Sequence, residues 1–352
     1  MDWGASACAT LHVINSILPL EGFDWHLLLE TFCGLGGIAD NVCQGEGPLG
    51  RGIFPLKPSL PSTIFVPESL LVPLRDICLD SGAVKLKSSA PFAADFKQFF
   101  EVYQANFSWG HGGRLAIDGF ERSLVELPAS VLQKLAQHNL LHLNVRQRGA
   151  WDQLLFTRFL ASRKVSFKGQ PVIAPLWELV NHDWASPPFR LLHTGLSTPT
   201  MPLRDAELTF KYSESSPLVR LFDYGFTCPE TTAFSFPFQL DIQTCAFAIH
   251  CDGRPLVDDR INLAQANGAF LLSGLPIGNS SVPEQPYAYL REVLKRLGAG
   301  QEAESLFQSI HQINIRQRQD LLLLLQDCDG IAADSIKAAV IFELELIAKS
   351  SL

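Results

Sequence analysis

Clustered positive charge is missing from this sequence. No run of five or more Lys or Arg occurs, and 28 Lys plus Arg stand against 36 Asp plus Glu, a formal net charge of -8. A phosphate backbone draws its affinity from gathered cations, so nucleic acid is excluded as the expected main partner. Long apolar runs are missing too: Leu321–Leu325 is flanked by Asp320 and Gln326, far short of the roughly 20 residues that span a bilayer. The opening stretch carries no basic leader, and Asp2 argues against a transit peptide, so the expectation is a cytoplasmic chain without a membrane partner. Cysteines fall at 8, 33, 43, 78, 228, 245, 251 and 328 with no CxxC spacing. That pattern excludes the usual zinc frameworks and favours free, mostly buried thiols, with no metal site expected.

What is present is apolar bulk. The chain has 352 residues, of which 47% are apolar and 18% charged, enough for a sizeable core and two or three domains. Residues 20–60 mix Gly and Pro with short apolar runs, which suits small strands and tight turns. From about Glu68 to Phe159 the texture turns helical. "PASVLQKLAQHNLLHL" sets Val131, Leu132, Leu135 and Leu140 on one stripe, and "GAWDQLLFTRFLASR" does the same with Trp151, Leu154, Leu155 and Phe159. Short strands return between Lys164 and Phe238. A mixed segment and then helices follow, among them "PYAYLREVLKRLG", closed by Gly298, and "RQDLLLLLQD".

The stretch "ETFCGLGG" at 30–37 has the look of a cofactor-binding glycine loop, yet its context is wrong. A dinucleotide site needs a strand before the glycines and a helix after them. Here "FDWHLLLETFC" leans helical and "IADNVCQGEGPLG" is too glycine-rich to form a crossover helix. The cytosine methyltransferase alternative lacks its Pro-Cys element, since only Cys228-Pro229 occurs, in reversed order. A helix C-terminus and turn is the expectation.

Four other stretches belong together: "GPLGRGIF" (47–54), "FLASRKV" (159–165), "PLWELVNH" (175–182) and "FKYSESSPLVRLFDYGF" (210–226). In order and spacing they resemble the SET-domain methyltransferases, in the subgroup of the Rubisco large-subunit lysine methyltransferases. The match covers residues from about 20 to 230 and runs through Gly50 and Gly52, Ser162-Arg163, Asn181-His182, Tyr212, and Tyr224-Gly225-Phe226.

The resemblance implies an α+β fold: small β-sheets with a pseudoknot, an inserted helical subdomain, and a mostly helical C-terminal domain that binds a protein substrate. In this numbering residues 1–66 and 159–230 form the SET domain, 67–158 the insertion and 231–352 the C-terminal domain. It implies S-adenosylmethionine as cofactor, held by Leu49, Gly50, Arg51, Ser162, Arg163, Glu178, Asn181, His182 and Tyr212. Gly50 and Gly52 would let the backbone approach it, and Leu49 and Arg51 would offer peptide groups to its amino-acid end. Arg163 would fork onto its carboxylate, Asn181 would take its ammonium by the amide oxygen, and the His182 backbone would meet the adenine edge. Tyr212 is the implied catalytic residue, and Val165, Tyr224 and Phe226 would line the amine channel.

Three departures bear on the acceptor: Val165 replaces an aromatic, Glu178 replaces Asp, and Ser216-Pro217 replaces Ser-Asn. The expected activity is methyl transfer to a lysine of a non-histone protein. A histidine, a small-molecule acceptor, or an inactive binding protein that kept the fold are the alternatives.

Overall fold

The computed structural model describes residues 24–141, 151–199, 206–212, 215–242, 247–251, 262–266 and 269–350, with backbone alone for His111 and for 241–270. Of the stretches and residues singled out above, the opening stretch through Phe23 with Asp2 and Cys8, residues 142–143, 149–150 and 200–205, Ser213, Glu214 and Cys245 lie outside the described residues. The chain divides into two compact units, each made of two segments: 1–119 with 148–213, and 120–147 with 214–352. These boundaries differ from the four-part division suggested by the sequence pattern. The chain passes from the first unit to the second inside helix Arg114–Val125.

The first unit is a set of small sheets around one core. Helix Trp25–Gly34 opens it, capped by the Asp24 carboxylate, which accepts from the His26 N–H at 2.8 Å. Its end explains the glycine-rich stretch: Gly36 takes φ +99°, and a Cβ on Gly37 would meet the Phe32 ring at 2.3 Å. These are turn glycines.

The strands are β1 (Ile38–Asp40), β2 (Val42–Gly47), β3 (Gly50–Pro55), β4 (Thr63–Pro67), β5 (Val72–Pro73), β6 (Ile77–Asp80), β7 (Ala83–Leu86), β8 (Val165–Phe167), β9 (Gln170–Ile173), β10 (Asn181–His182), β11 (Arg190–Leu192), β12 (Gly195–Ser197) and β13 (Thr209–Phe210). They pair as a sheet ordered β1-β4-β12-β11, a sheet β5-β9-β8, hairpins β2-β3 and β6-β7, and the parallel pair β10-β13. β5 to β7 fall where only helix was expected. They are only two to four residues long, too short for helix and strand periods to separate.

Helix Ala94–Phe107 packs one aromatic face, Phe96, Phe99, Phe100, Tyr103 and Phe107, into this core. The spacing is that of a single helical stripe. Phe99 stacks on Tyr103 at 6.1 Å and approaches Phe32 at 5.9 Å. Helix Trp151–Arg163 buries Leu154, Leu155, Phe156 and Phe159.

The second unit holds β14 (Thr232–Phe234), β15 (Phe238–Ile242), β16 (Phe247–Cys251), β17 (Asn262–Ala266), β18 (Ala269–Ser273) and β19 (Pro276–Asn279). β14 pairs with β19, and a four-stranded sheet runs β15-β16-β18-β17. Among the described residues of the C-terminal part, regular elements are strands up to Asn279, followed by the helices Gln285–Arg296, Ala303–Leu324 and Ile331–Lys349. Helix Ala129–Gln137 belongs to this unit and buries Val131 and Leu135 beside Leu321, Leu325 and Ile336.

The described cysteines 33, 43, 78, 228 and 328 are free, but Cys33 is exposed and the others half-buried, against the expectation of buried thiols. Among the described residues no helix is long and apolar enough to cross a membrane.

Candidate functional site

Three loop-and-strand segments and one helix end of the first unit meet at the β2-β3 hairpin. The hairpin turns at Pro48 and Leu49, with Gly50 just past the turn at φ +85° and nothing within 4 Å of a hypothetical Cβ. Gly50 thus serves the turn itself. Gly52 is required by its packing inside the site. A Cβ there would stand 1.9 Å from Glu207 Oε1 and 2.9 Å from Asn181 Nδ2. The side chains of Glu207 and Asn181 occupy the space that residue 52 leaves.

Asn181 and His182 form β10, in parallel register with Thr209 and Phe210 of β13, while Leu208 bridges Ile53. Asn181 Nδ2 donates to the Arg51 carbonyl at 2.9 Å and to Glu207 Oε1 at 2.6 Å. With both amide hydrogens given to oxygens, the orientation of the amide is fixed and Oδ1 is turned away as an acceptor. Glu207 is buried at 8% exposure. Burial pushes its carboxyl up to about 7, helped by Glu46 and opposed by the Asn181 hydrogen bond.

Arg163 ends its helix with Nη1 donating to the Glu178 carbonyl at 2.8 Å and its guanidinium 5.8 Å from the centre of the Phe159 ring. Its charge is felt at Arg51, whose pKa is lowered to about 10 by burial and then by Arg163; Tyr103, Glu46 and Glu178 oppose the shift. Two guanidinium groups thus share one half-buried rim, an arrangement suited to an anion.

Glu178 lies behind that rim. Its carboxylate is 4% exposed, and Oε1 accepts from Tyr103 Oη at 2.8 Å, Gln104 Nε2 at 3.2 Å and Ser108 Oγ at 2.8 Å. Burial and this carboxylate together raise the Tyr103 phenol well above its usual value. Glu178 braces the loop that carries Arg163's acceptor through these three hydrogen bonds. Ser162 Oγ, half-buried, donates to the Phe159 carbonyl at 3.0 Å within its own helix.

Tyr212 stands half-buried against Phe210 and His182, with ring centres at 5.4 and 5.2 Å. Its hydroxyl donates to the Val180 carbonyl at 2.7 Å, and its N–H donates to His182 Nδ1 at 3.1 Å. The His182 ring is buried and acts here through its own nitrogen, locking the Tyr212 backbone. The phenol oxygen and the Val180 carbonyl form a small patch of acceptors of the kind that steers a polarised methyl group.

Leu49 is 44% exposed at the hairpin tip, and Val165 in β8 pairs with Val172, half-buried against the core. Tyr224 and Phe226 belong to the second unit, at the end of helix Pro217–Tyr224, where Arg220 covers the Tyr224 ring at 4.9 Å. The first unit therefore gathers Gly50, Arg51, Gly52, Arg163, Asn181, His182 and Tyr212. Sequence reasoning missed Glu207, Tyr103, Gln104 and Ser108. Only the empty side-chain position at Gly52 hints at Glu207, and an absent side chain names no partner.

No protein-family model and no curated protein matches the chain. Solved structures do: the SET domain of LSMT bound to lysine and AdoHcy (16% identity, 92% of this chain and 89% of that chain, TM-score 0.43), and Rubisco LSMT bound to AdoMet (16%, 92% and 89%, TM-score 0.44).

Proposed function

We propose that this chain is an S-adenosylmethionine-dependent methyltransferase of the SET class, acting on a lysine side chain of a non-histone protein. One observation supports the reading: residues from the four stretches that share the motif order lie together in the first unit. The hydrogen bonds from Asn181 to Arg51, from Arg163 to the Glu178 carbonyl and from Tyr212 to the Val180 carbonyl tie them together.

The donor set suits a group bearing both a carboxylate and an ammonium. Arg51 and Arg163 would meet the carboxylate, and Asn181 Oδ1 would accept from the ammonium. When bound, the cofactor supplies a methyl group on a cationic sulfur. Tyr212 and the Val180 carbonyl would hold that methyl in line for an incoming amine, and the apolar rings of Phe210 and Tyr212 would keep water out. A lysine, ordinarily near 10.4, is favoured in its neutral form beside a cation in such surroundings. The non-histone target rests on the absence of the cysteine-rich cluster that accompanies many histone-directed relatives.

Calorimetry with S-adenosylhomocysteine tests the reading directly. Wild type binds, and Arg163→Ala weakens binding by roughly ten- to a hundredfold, the loss of a charge-assisted hydrogen bond of about 1.5–3 kcal/mol. Tyr212→Phe leaves affinity nearly unchanged and lowers methylation of a lysine acceptor by about a hundredfold, through lost alignment. A wild type that does not bind, or an Arg163→Ala variant that binds fully, rejects the reading.

A further inference from the structure

We infer that Ser108 and Trp109, where helix Ala94–Phe107 opens into a wide π-helical turn, are positioning residues for Arg163: they hold its guanidinium ready for the cofactor's carboxylate. The inference rests on the methyltransferase reading, and it brings in two residues from outside the four motif stretches.

Ser108 leaves the helix at φ −126° and ψ −93°, and Trp109–Gly113 then form one wide turn in which the Arg114 N–H donates to the Trp109 carbonyl, five residues back. Wide turns of this kind are rare and are frequent at functional sites. Glycine makes this one possible: a Cβ on Gly110 would overlap the Ala105 carbonyl, and one on Gly113 would stand 2.8 Å from the Ser108 carbonyl. The break sends two adjacent side chains to different places, and both lead to Arg163.

Ser108, fully buried, takes the first route. Its Oγ donates to Glu178 Oε1 at 2.8 Å and so fastens the residue whose carbonyl accepts from Arg163 Nη1 at 2.8 Å. Trp109, also buried, takes the second. Its indole N–H donates to the Gly82 carbonyl at 2.9 Å, and its ring meets the Phe159 ring edge-on at 5.1 Å between centres. Phe159 lies one helical turn before Arg163, and the guanidinium sits 5.8 Å from the centre of its ring. A carbonyl and a ring therefore hold one long side chain, and each is fixed in turn by a residue at the start of the wide turn. Among the described residues Nη1 alone of the Arg163 nitrogens has a hydrogen-bond partner, so Nε and Nη2 keep their hydrogens for a ligand. An arginine ordered beforehand loses less freedom when it binds.

The experiment is calorimetry with S-adenosylhomocysteine and with 5′-methylthioadenosine, which keeps the adenosine and the thioether but has neither carboxylate nor ammonium. The proteins are wild type, Ser108→Ala, Trp109→Leu and Arg163→Ala, together with Ser108→Ala and Trp109→Leu each combined with Arg163→Ala, and circular dichroism checks that each is folded. Ser108→Ala and Trp109→Leu should each weaken S-adenosylhomocysteine by about two- to tenfold, the span expected when one long side chain must be ordered on binding. Neither should change the affinity for 5′-methylthioadenosine. Once Arg163 is alanine, neither should weaken S-adenosylhomocysteine further. If Trp109→Leu does not fold, Trp109→Phe takes its place; it keeps a ring against Phe159 but offers no N–H to Gly82, and should lose about twofold. Equal weakening of both ligands, or the same loss with and without Arg163, overturns the inference, as do folded variants that bind S-adenosylhomocysteine like wild type. A wild type that does not bind S-adenosylhomocysteine, or an Arg163→Ala variant that matches it, instead removes the methyltransferase reading beneath the inference.

Discussion

Holding Glu207 against Gly52 has a thermodynamic consequence apart from any ligand. Its carboxyl is raised from a usual 4.5 to about 7, so the folded protein keeps a proton that the unfolded chain would release. The contribution is fully favourable below 4.5 and is lost as pH rises through 7, because the fold must then accommodate a buried charge. Glu207→Gln should therefore be more stable than wild type at pH 8, by about 1–3 kcal/mol, and equal to it near pH 4.5. Urea unfolding followed by tryptophan fluorescence checks this, since Trp25, Trp109, Trp151, Trp177 and Trp184 all lie in the first unit. Equal midpoints for the two proteins at pH 8 would contradict it.

Among the elements, the helices of the second unit converge on one buried ion pair. Arg318, on helix Ala303–Leu324, donates from Nη2 to Glu343 Oε2 at 2.6 Å, and both side chains are essentially unexposed. The same Arg donates to the Phe234 carbonyl at 2.8 Å, while Glu343 Oε1 accepts from the Leu218 N–H at 3.1 Å in the first turn of helix Pro217–Tyr224. Two long helices, a strand and a third helix end are thereby fixed to one another. Glu343→Ala should cost about 3–5 kcal/mol by leaving a buried guanidinium uncompensated, and the paired change Arg318→Met with Glu343→Leu should cost much less. Loss of helical circular dichroism in urea measures both. Elements such as these were legible because a stripe like Val131, Leu135 repeats over a whole helix. The strands at 72–86 were not, being too short to declare a period, and neither was the strand-rich start of the C-terminal part. In the site, ordered motifs pointed to Arg163, Asn181 and Tyr212, but the turn at Gly50 and the packing of Glu207 on Gly52 were not legible. Their neighbours are set by tertiary approach, which no local pattern encodes.

At the scale of the whole molecule, the two units answer acid in opposite senses. His138, in the second unit, is buried and stacks on Phe236 at 3.9 Å; burial, then Lys134 and Arg318, lower its pKa to about 3. The unfolded chain takes up that proton near 6.5 and the folded one does not, so this contribution is present above 6.5 and drains away as pH falls toward 3. At about pH 5 the second unit should have lost about 2 kcal/mol, while the Glu207 contribution in the first unit has grown. Tryptophan fluorescence and helical circular dichroism should then report separate transitions on acidification, and His138→Phe should bring them back together. Coincident transitions in wild type at pH 5 would contradict this. The division of each unit into two stretches also bears on how the chain is made. Lys134 meets Asp320 only across 186 residues. At about 5–20 residues per second a ribosome delivers Leu321 and Leu325, which share their core, roughly 10–40 s after Val131 and Leu135 emerge. Until then the core that Val131 and Leu135 share stays incomplete.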